Sequence, residues 1–194
     1  MTYYGIAHGW AGVAYASMMW ATARGIPPPI EVRPVLDLLA AAAEPVERGA
    51  CWPLTPPGGH ANDQYWPGWC HGNAGYVFLW NLAAAIYPDG TFADLAERAA
   101  LLLGPAAGVS SLCCGGAGQA YAALNHYRRT GEERWHVAAV HIANRAAADG
   151  TLAGDAINPL SLYKGHTGLA LLALELDCPE RAAMPLFEFE SSAR

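Results

Sequence analysis

Cysteine is the residue with the most distinctive chemistry in this 194-residue chain, and two of its five cysteines, Cys113 and Cys114, are adjacent. They lie in Ser111-Leu112-Cys113-Cys114-Gly115-Gly116-Ala117-Gly118, where a glycine-rich step opens an apolar segment. Neighbouring cysteines rarely bridge each other, because the small ring strains the peptide between them. At the start of a helix, exposed N–H groups and the dipole favour thiolate over thiol. Two thiolates are soft metal donors, with zinc the default metal, but a pair alone leaves the coordination shell incomplete.

Cys70 offers the third ligand. It lies in Trp69-Cys70-His71-Gly72-Asn73-Ala74-Gly75, at the same point before a glycine-opened segment as Cys113-Cys114. Repeat geometry would bring such starts together, so three thiolates could form a zinc tripod with an open fourth position, the form of a catalytic site. His8, in Gly5-Ile6-Ala7-His8-Gly9, holds the corresponding place in the first such segment. An imidazole exchanges protons near neutral pH, which suits it to donate a proton at the rim of that site. The remaining cysteines read as a loop thiol open to redox chemistry, Cys51, and a helix-end thiol, Cys178. His126, His136, His141 and His166 show no ligand spacing and read as surface or packing residues. Lys164 opens the last repeat either as a structural residue or as a contact for an acidic substrate group.

The elements that must position these residues follow from a recurring step: Gly9-Trp10-Ala11-Gly12, Gly72-Asn73-Ala74-Gly75, Gly115-Gly116-Ala117-Gly118 and Gly165-His166-Thr167-Gly168. Intervals of 63, 43 and 50 residues suit a helical-pair repeat with variable loops. The segments that follow, Val13–Ala23, Tyr76–Ile86, Gln119–Tyr127 and Leu169–Leu176, are apolar all round and predict buried inner helices. Between them lie segments with one apolar stripe. The first is Val35, Leu38, Leu39 and Ala42, with Pro34 in the first turn and Pro45 at the stop. The second is Phe92, Leu95, Ala99 and Leu102, opened by a capping-box-like Thr91 and Asp94 and closed by Gly104-Pro105. The third spans Glu132–Ala148. No segment shows strand alternation. The connection from Gly49 to Trp69 is the exception, rich in proline and carrying Trp52, Tyr65, Trp66 and Trp69. Its aromatics either line a peptide groove or pin the loop to the helix ends.

Composition narrows the function classes. Hydrophobic residues make up 53% and charged ones 14%, so much of the chain is internal and one domain of residues 1–194 is expected. A net charge of −6 with no Lys/Arg-rich stretch argues against nucleic acid as a partner. No apolar run reaches about 18 residues, so no membrane span is expected. The start Met1-Thr2-Tyr3-Tyr4 lacks the basic residues of a signal peptide. An odd number of cysteines without framework spacing reads as thiols and ligands, which points to the cytoplasm.

Taken together, the segments G-I-A-H-G-W-A-G, W-C-H-G-N-A-G, L-C-C-G-G-A-G and S-L-Y-K-G-H-T-G resemble the LanC-like lanthionine cyclases over nearly the whole chain. That resemblance implies an all-α fold, an α/α toroid with a zinc site at one end. The chain supplies about four inner and three outer helices, fewer than a full ring, and so reads as the C-terminal portion of one. The resemblance makes Cys70 the ligand of the family's Trp-Cys motif and Cys113 the first residue of its usual Cys-His pair. Cys114 takes the place of that histidine. His8 matches the histidine of the Ala-His-Gly motif, linked to proton transfer. His71 is not a ligand in the family and is expected to touch a ligand's outer side or the substrate. The implied reaction adds a peptide cysteine thiolate to dehydroalanine or dehydrobutyrine in a dehydrated precursor peptide, forming a thioether ring with Zn2+ as cofactor. Glutathione or small-thiol addition, and a non-catalytic peptide-binding module, are the alternatives. An arc of helices would expose apolar flanks, so a homodimer or an N-terminal partner chain is expected. The family's acidic residue and its arginine have no match here; Asp63 is the nearest stand-in for the acid.

Overall fold

Each Gly-x-x-Gly step begins a helix in the computed structural model, which describes residues 3–57, 65–88, 90–104, 109–149 and 158–188. The four helices are α1 (Trp10–Arg24), α3 (Asn73–Ile86), α5 (Gly116–Thr130) and α7 (Thr167–Glu175). Three others alternate with them: α2 (Val32–Ala41), α4 (Thr91–Ala100) and α6 (Glu133–Asp149). The expected alternation of four glycine-opened and three intervening helices is therefore present. Among the described residues, no helix is long and apolar enough to cross a membrane.

The glycine steps begin helices without side-chain caps. The loop before the helix supplies the cap from its own backbone. In α1, Trp10 and Ala11 donate to the carbonyls of Tyr3 and Tyr4, each seven residues earlier, at 3.1 and 3.0 Å. In α5, Gly116 and Ala117 donate to Val109 and Ser110 at 2.9 and 3.2 Å, and His166 at the start of α7 donates to Pro159 at 2.8 Å. Two of the orphan N–H groups that every helix start carries are satisfied this way in α1 and α5. The loop must then fold tightly under the helix, which fixes the second glycine of the step. A Cβ on Gly12 would stand 2.0 Å from the Ile6 carbonyl oxygen, and one on Gly118 2.0 Å from that of Leu112.

The described residues divide into two compact units. The first, residues 1–66 and 70–102, holds α1 to α4. Here α3 is buried at every position from Asn73 to Asn81, as its all-round apolarity predicts. Helix α1 is not: Val13 is 44% and Trp20 54% exposed. In α4 the stripe Phe92, Leu95 and Ala99 is buried as expected, but Thr91 is the first helical residue and not the N-cap. Its N-cap is Gly90, at φ +80°, a conformation that glycine alone adopts freely. Helix α2 starts at Val32 rather than at the proline, leaving Pro34 in the first turn, where no intrahelical donor is needed. The buried stripe is accordingly Val32, Leu36 and Leu39, with Leu38 turned outward.

The expectation of no strand fails after α2. Two three-residue strands, β1 (Glu44–Val46) and β2 (Gly49–Cys51), form an antiparallel hairpin, too short to show alternation. Pro45, read as a helix stop, lies within β1, opposite Ala50. The hairpin delivers Trp52 to the core, where its indole donates to the Leu39 carbonyl at 2.8 Å and stacks on Tyr76 at 4.2 Å. Burying such a side chain is worth about 3–5 kcal/mol against alanine. Trp52 thus pins the connection to the helices, while Tyr65 and Trp66 are each 45% exposed. Asp63 lies outside the described residues.

The second unit, residues 67–69 and 103–194, holds α5, α6 and α7. Helix α5 is buried at every position from Gly116 to Leu124, and it packs on α6 and α7. Only Gly168 and Leu172 of α7 are buried, and Leu174 is 78% exposed, so the all-round prediction fails there too. Glu188 holds the last turns onto α5: it pairs with Arg128, accepts from Asn125 at 2.7 Å and accepts from the Met184 backbone at 2.8 Å.

Candidate metal centre

In the first unit, the loop before α1 lies against the loop before α3. The Ala7 N–H donates to the Cys70 carbonyl at 3.0 Å. A Cβ on Gly5 would come within 2.7 Å of the Cys70 oxygen and of the His71 Cα, so only glycine lets the loops approach this closely. The contact places the His71 ring between Tyr3 and His8, with ring centroids at 5.5 and 5.4 Å. Cys70 is buried, His71 half-buried and His8 exposed. Three of the residues singled out in the sequence therefore share one end of this unit, and of their side chains the His8 imidazole is the exposed one.

In the second unit, Cys113 and Cys114 hold their Sγ atoms 3.4 Å apart, with Cys113 buried and Cys114 half-buried. Two sulfurs on one tetrahedral zinc, each at about 2.3 Å, would stand about 3.8 Å apart. The pair needs only a small spread to share a metal. The Cys113 N–H donates to the Tyr163 carbonyl at 2.9 Å, which ties the turn before α7 to the cysteine pair. Burial, together with the nearby Cys113 thiol, pushes the Tyr163 phenol up to about 12. Its hydroxyl donates to the Pro185 carbonyl at 2.8 Å. A Cβ on Gly68 would come within 2.7 Å of the Cys114 Cα. The next residue, Trp69, packs on Tyr163 and Phe187 at 5.2 and 5.1 Å. Gly68 and Trp69 are thus anchored within this unit, against Cys114 and the turn before α7.

The N–H groups at the start of α5 do not favour a thiolate in the way the sequence suggests. The first N–H groups of α5, on Gly116 and Ala117, are occupied by the Val109 and Ser110 carbonyls and do not point at the sulfurs. A positive group near the pair comes instead from Lys164, whose Nζ lies 3.9 Å from the Cys114 Sγ. Sequence reading left Lys164 unassigned, yet a signal was present. The residue before the first glycine of each repeat is His8, His71, Cys114 and Lys164. All four carry chemistry, and the register marks Lys164 as the fourth of a set.

The other thiols and histidines have separate settings. Cys51 is not a loop thiol: it ends β2, is buried, and its Sγ lies 3.7 Å from the Glu44 carbonyl. Burial pushes the Cys51 thiol up, the nearby Glu44 charge adds to this, and a hydrogen bond with Tyr65 opposes it. A raised pKa means less thiolate at neutral pH, so Cys51 should alkylate far more slowly than exposed Cys178. Mass mapping of iodoacetamide adducts over time checks the order; equal rates would contradict it. His126 is buried edge-to-face on Trp135 at 4.9 Å, and His136 contacts Glu133 at 3.0 Å and the Leu176 carbonyl at 3.2 Å. Both are packing residues. Among the described residues, the group of His, Cys and acidic side chains that could hold a metal ion is Cys70, Cys113 and Cys114. Three thiolate donors suit zinc in chemistry as well as number.

The family model described as lanthionine synthetase C-like protein matches residues 1–189. Among solved structures, nisin cyclase matches with a TM-score of 0.71 at 16% sequence identity. The match covers 91% of this chain and 46% of that one, so the chain spans less than half of the cyclase's length. The all-α fold of α/α-toroid type expected from the sequence is the fold of this neighbour.

Proposed function

Because the chain belongs to the lanthionine synthetase C-like family, we propose that it is a zinc-dependent cyclase that closes thioether rings in a dehydrated precursor peptide. The observation that carries this reading is the donor set: three cysteines, each just before a glycine-opened helix. A tether supports their convergence. Cys70 follows Gly68 by two residues, and consecutive Cα atoms are about 3.8 Å apart, while Gly68 lies against Cys114.

When bound by Cys70, Cys113 and Cys114, zinc would keep a peptide thiol deprotonated at neutral pH. The chemistry left to the chain is the delivery of a proton. As the peptide sulfur bonds to the β-carbon of dehydroalanine or dehydrobutyrine, the electron pair of the double bond moves onto the carbonyl as an enolate. The α-carbon then takes up a proton, matching the one lost from the thiol, and no oxidant is needed. In this reading His8, which is exposed and in ring contact with His71, gives that proton. His71, in tilted ring contact with both Tyr3 and His8, supports the imidazole's position. The compartment in this reading is a reducing one, the cytoplasm, where unbridged cysteines persist as thiols and ligands.

The test uses purified, metal-replete protein and one dehydrated peptide that carries a free cysteine, with and without glutathione. Ring closure leaves the peptide mass unchanged but removes the thiol that N-ethylmaleimide labels. A glutathione adduct with no ring would replace this reading with small-thiol addition. Protein that binds no zinc and leaves the peptide unchanged would leave a peptide-binding module. The same assay measures the effect of the third thiolate. Zinc with three thiolates is a net anion, whereas two thiolates and a neutral imidazole leave it uncharged. A substrate thiolate held at the more negative centre is less tightly bound and more nucleophilic. Cys114→His is therefore expected to cyclise several-fold more slowly and with greater site selectivity; an unchanged rate with zinc retained would sink the charge argument.

A further inference from the structure

We propose that Lys164 is the counter-charge of the third thiolate, a positioning residue that lets this chain hold zinc with three cysteines. The inference rests on the zinc reading above and concerns this chain's own side chains. Three thiolates around one zinc carry a surplus negative charge, and an uncompensated charge at a half-buried centre is costly. The Lys164 ammonium lies 3.9 Å from the Cys114 Sγ, near the residue that brings the surplus. The distance is long for a directed N–H···S bond, so the contact acts as a point charge, which suits an ammonium better than a planar fork.

The placement is built in. The Cys113 N–H donates to the carbonyl of Tyr163, the residue before Lys164, at 2.9 Å. The turn carrying them is held by Lys164 N to Ser161 Oγ at 3.2 Å and Gly165 N to the Ser161 carbonyl at 2.9 Å. Below it, a Cβ on Gly168 would meet the Leu112 side chain at 2.3 Å, so the start of α7 sits directly on the residue before Cys113. Lys164 is exposed, so its charge stays hydrated at no burial cost and its removal does not open the core. Tyr163, Lys164 and the cysteine pair form one fixed cluster in which the lysine contributes charge and the backbone contributes registry.

Zinc affinity measured by competition with a chromophoric chelator tests the idea in four proteins: wild type, Lys164→Ala, Cys114→His and the double variant. Lys164→Ala is expected to weaken zinc binding about tenfold, the low end of what an outer partner of a metal ligand contributes. Lys164→Arg should restore most of the affinity, because it restores the charge. In the Cys114→His background, where the surplus is gone, removing Lys164 should change affinity less than about threefold, so the two positions are coupled. Equal losses in both backgrounds would overturn the proposal and leave a merely structural lysine. Unchanged zinc affinity with a reduced kcat/KM would overturn it in favour of a substrate contact. Wild-type protein that binds no zinc would overturn both this proposal and the functional reading, whereas zinc binding indifferent to Lys164 overturns this one alone.

Discussion

Replacing Cys113 with alanine is expected to remove zinc and ring formation together. Zinc affinity should fall more than about 100-fold, beyond the loss that an outer partner of a ligand causes, and cyclisation should fall to background. Cys113 is buried, and alanine in its place deletes one sulfur without adding volume, so the helical circular dichroism should persist. Tyr163 would keep its hydrogen bond to residue 113, because the backbone N–H supplies it. The effect is therefore on the donor set and not on the scaffold. Cys178→Ala, at an exposed position, is the matching control and should change neither zinc content nor rate. Full zinc occupancy in Cys113→Ala would remove the cysteine pair from the metal centre.

The second large effect is on stability. Gly118→Ala places a methyl group 2.0 Å from the Leu112 carbonyl oxygen and 3.3 Å from the Trp69 Cβ. The oxygen belongs to backbone that is itself part of the helix cap, so it cannot swing away as a flexible side chain could. Relief requires the loop to lift, which breaks the bonds from Gly116 and Ala117 to Val109 and Ser110. Overpacking of this kind costs about 3 kcal/mol or more, which lowers Tm by roughly 6–12 °C for a chain of this size. Gly12→Ala, 2.0 Å from the Ile6 oxygen, should behave alike. Gly25 gives the contrast: a Cβ there meets nothing within 4 Å, and only its φ of +63° opposes alanine, for about 1 kcal/mol. Thermal denaturation of the three variants checks the ranking; a Gly118→Ala midpoint within two degrees of Gly25→Ala would refute the close-approach account.

These glycines also explain what the sequence made legible. The Gly-x-x-Gly steps announce their helices because the steric demand is local, as at Gly12, Gly118 and Gly168. Burial was legible in α3 and α5, enclosed over most of their length, and in the single stripe of α4. Apolarity alone misjudged α1 and α7, since Trp20 and Leu174 obey the same pattern and remain exposed. The hairpin escaped notice because three-residue strands carry no periodicity, and Trp52, which holds the connection to α3, resembled a loop aromatic. At the site, the cysteines and His8 stood out by residue type. Lys164 did not, because a lysine at a helix start has many solvated uses; its meaning appears only with the distance to Cys114.

The backbone caps have one more consequence. In α1 and α5 the loop and the helix start close on each other through main-chain hydrogen bonds and a bare glycine, with no side-chain cap at the N-cap residue. The position just before the first glycine behaves as a socket: its shape is set without reference to what is plugged into it. An imidazole at 8 and a thiol at 114 occupy two such sockets, with an imidazole at 71 and an ammonium at 164 in the same register of the other repeats. Metal affinity, charge and acid strength can thus be exchanged one side chain at a time while the frame stays as it is. A cysteine at 114, where the resemblance leads one to expect a histidine, is then a change of fitting rather than a change of architecture.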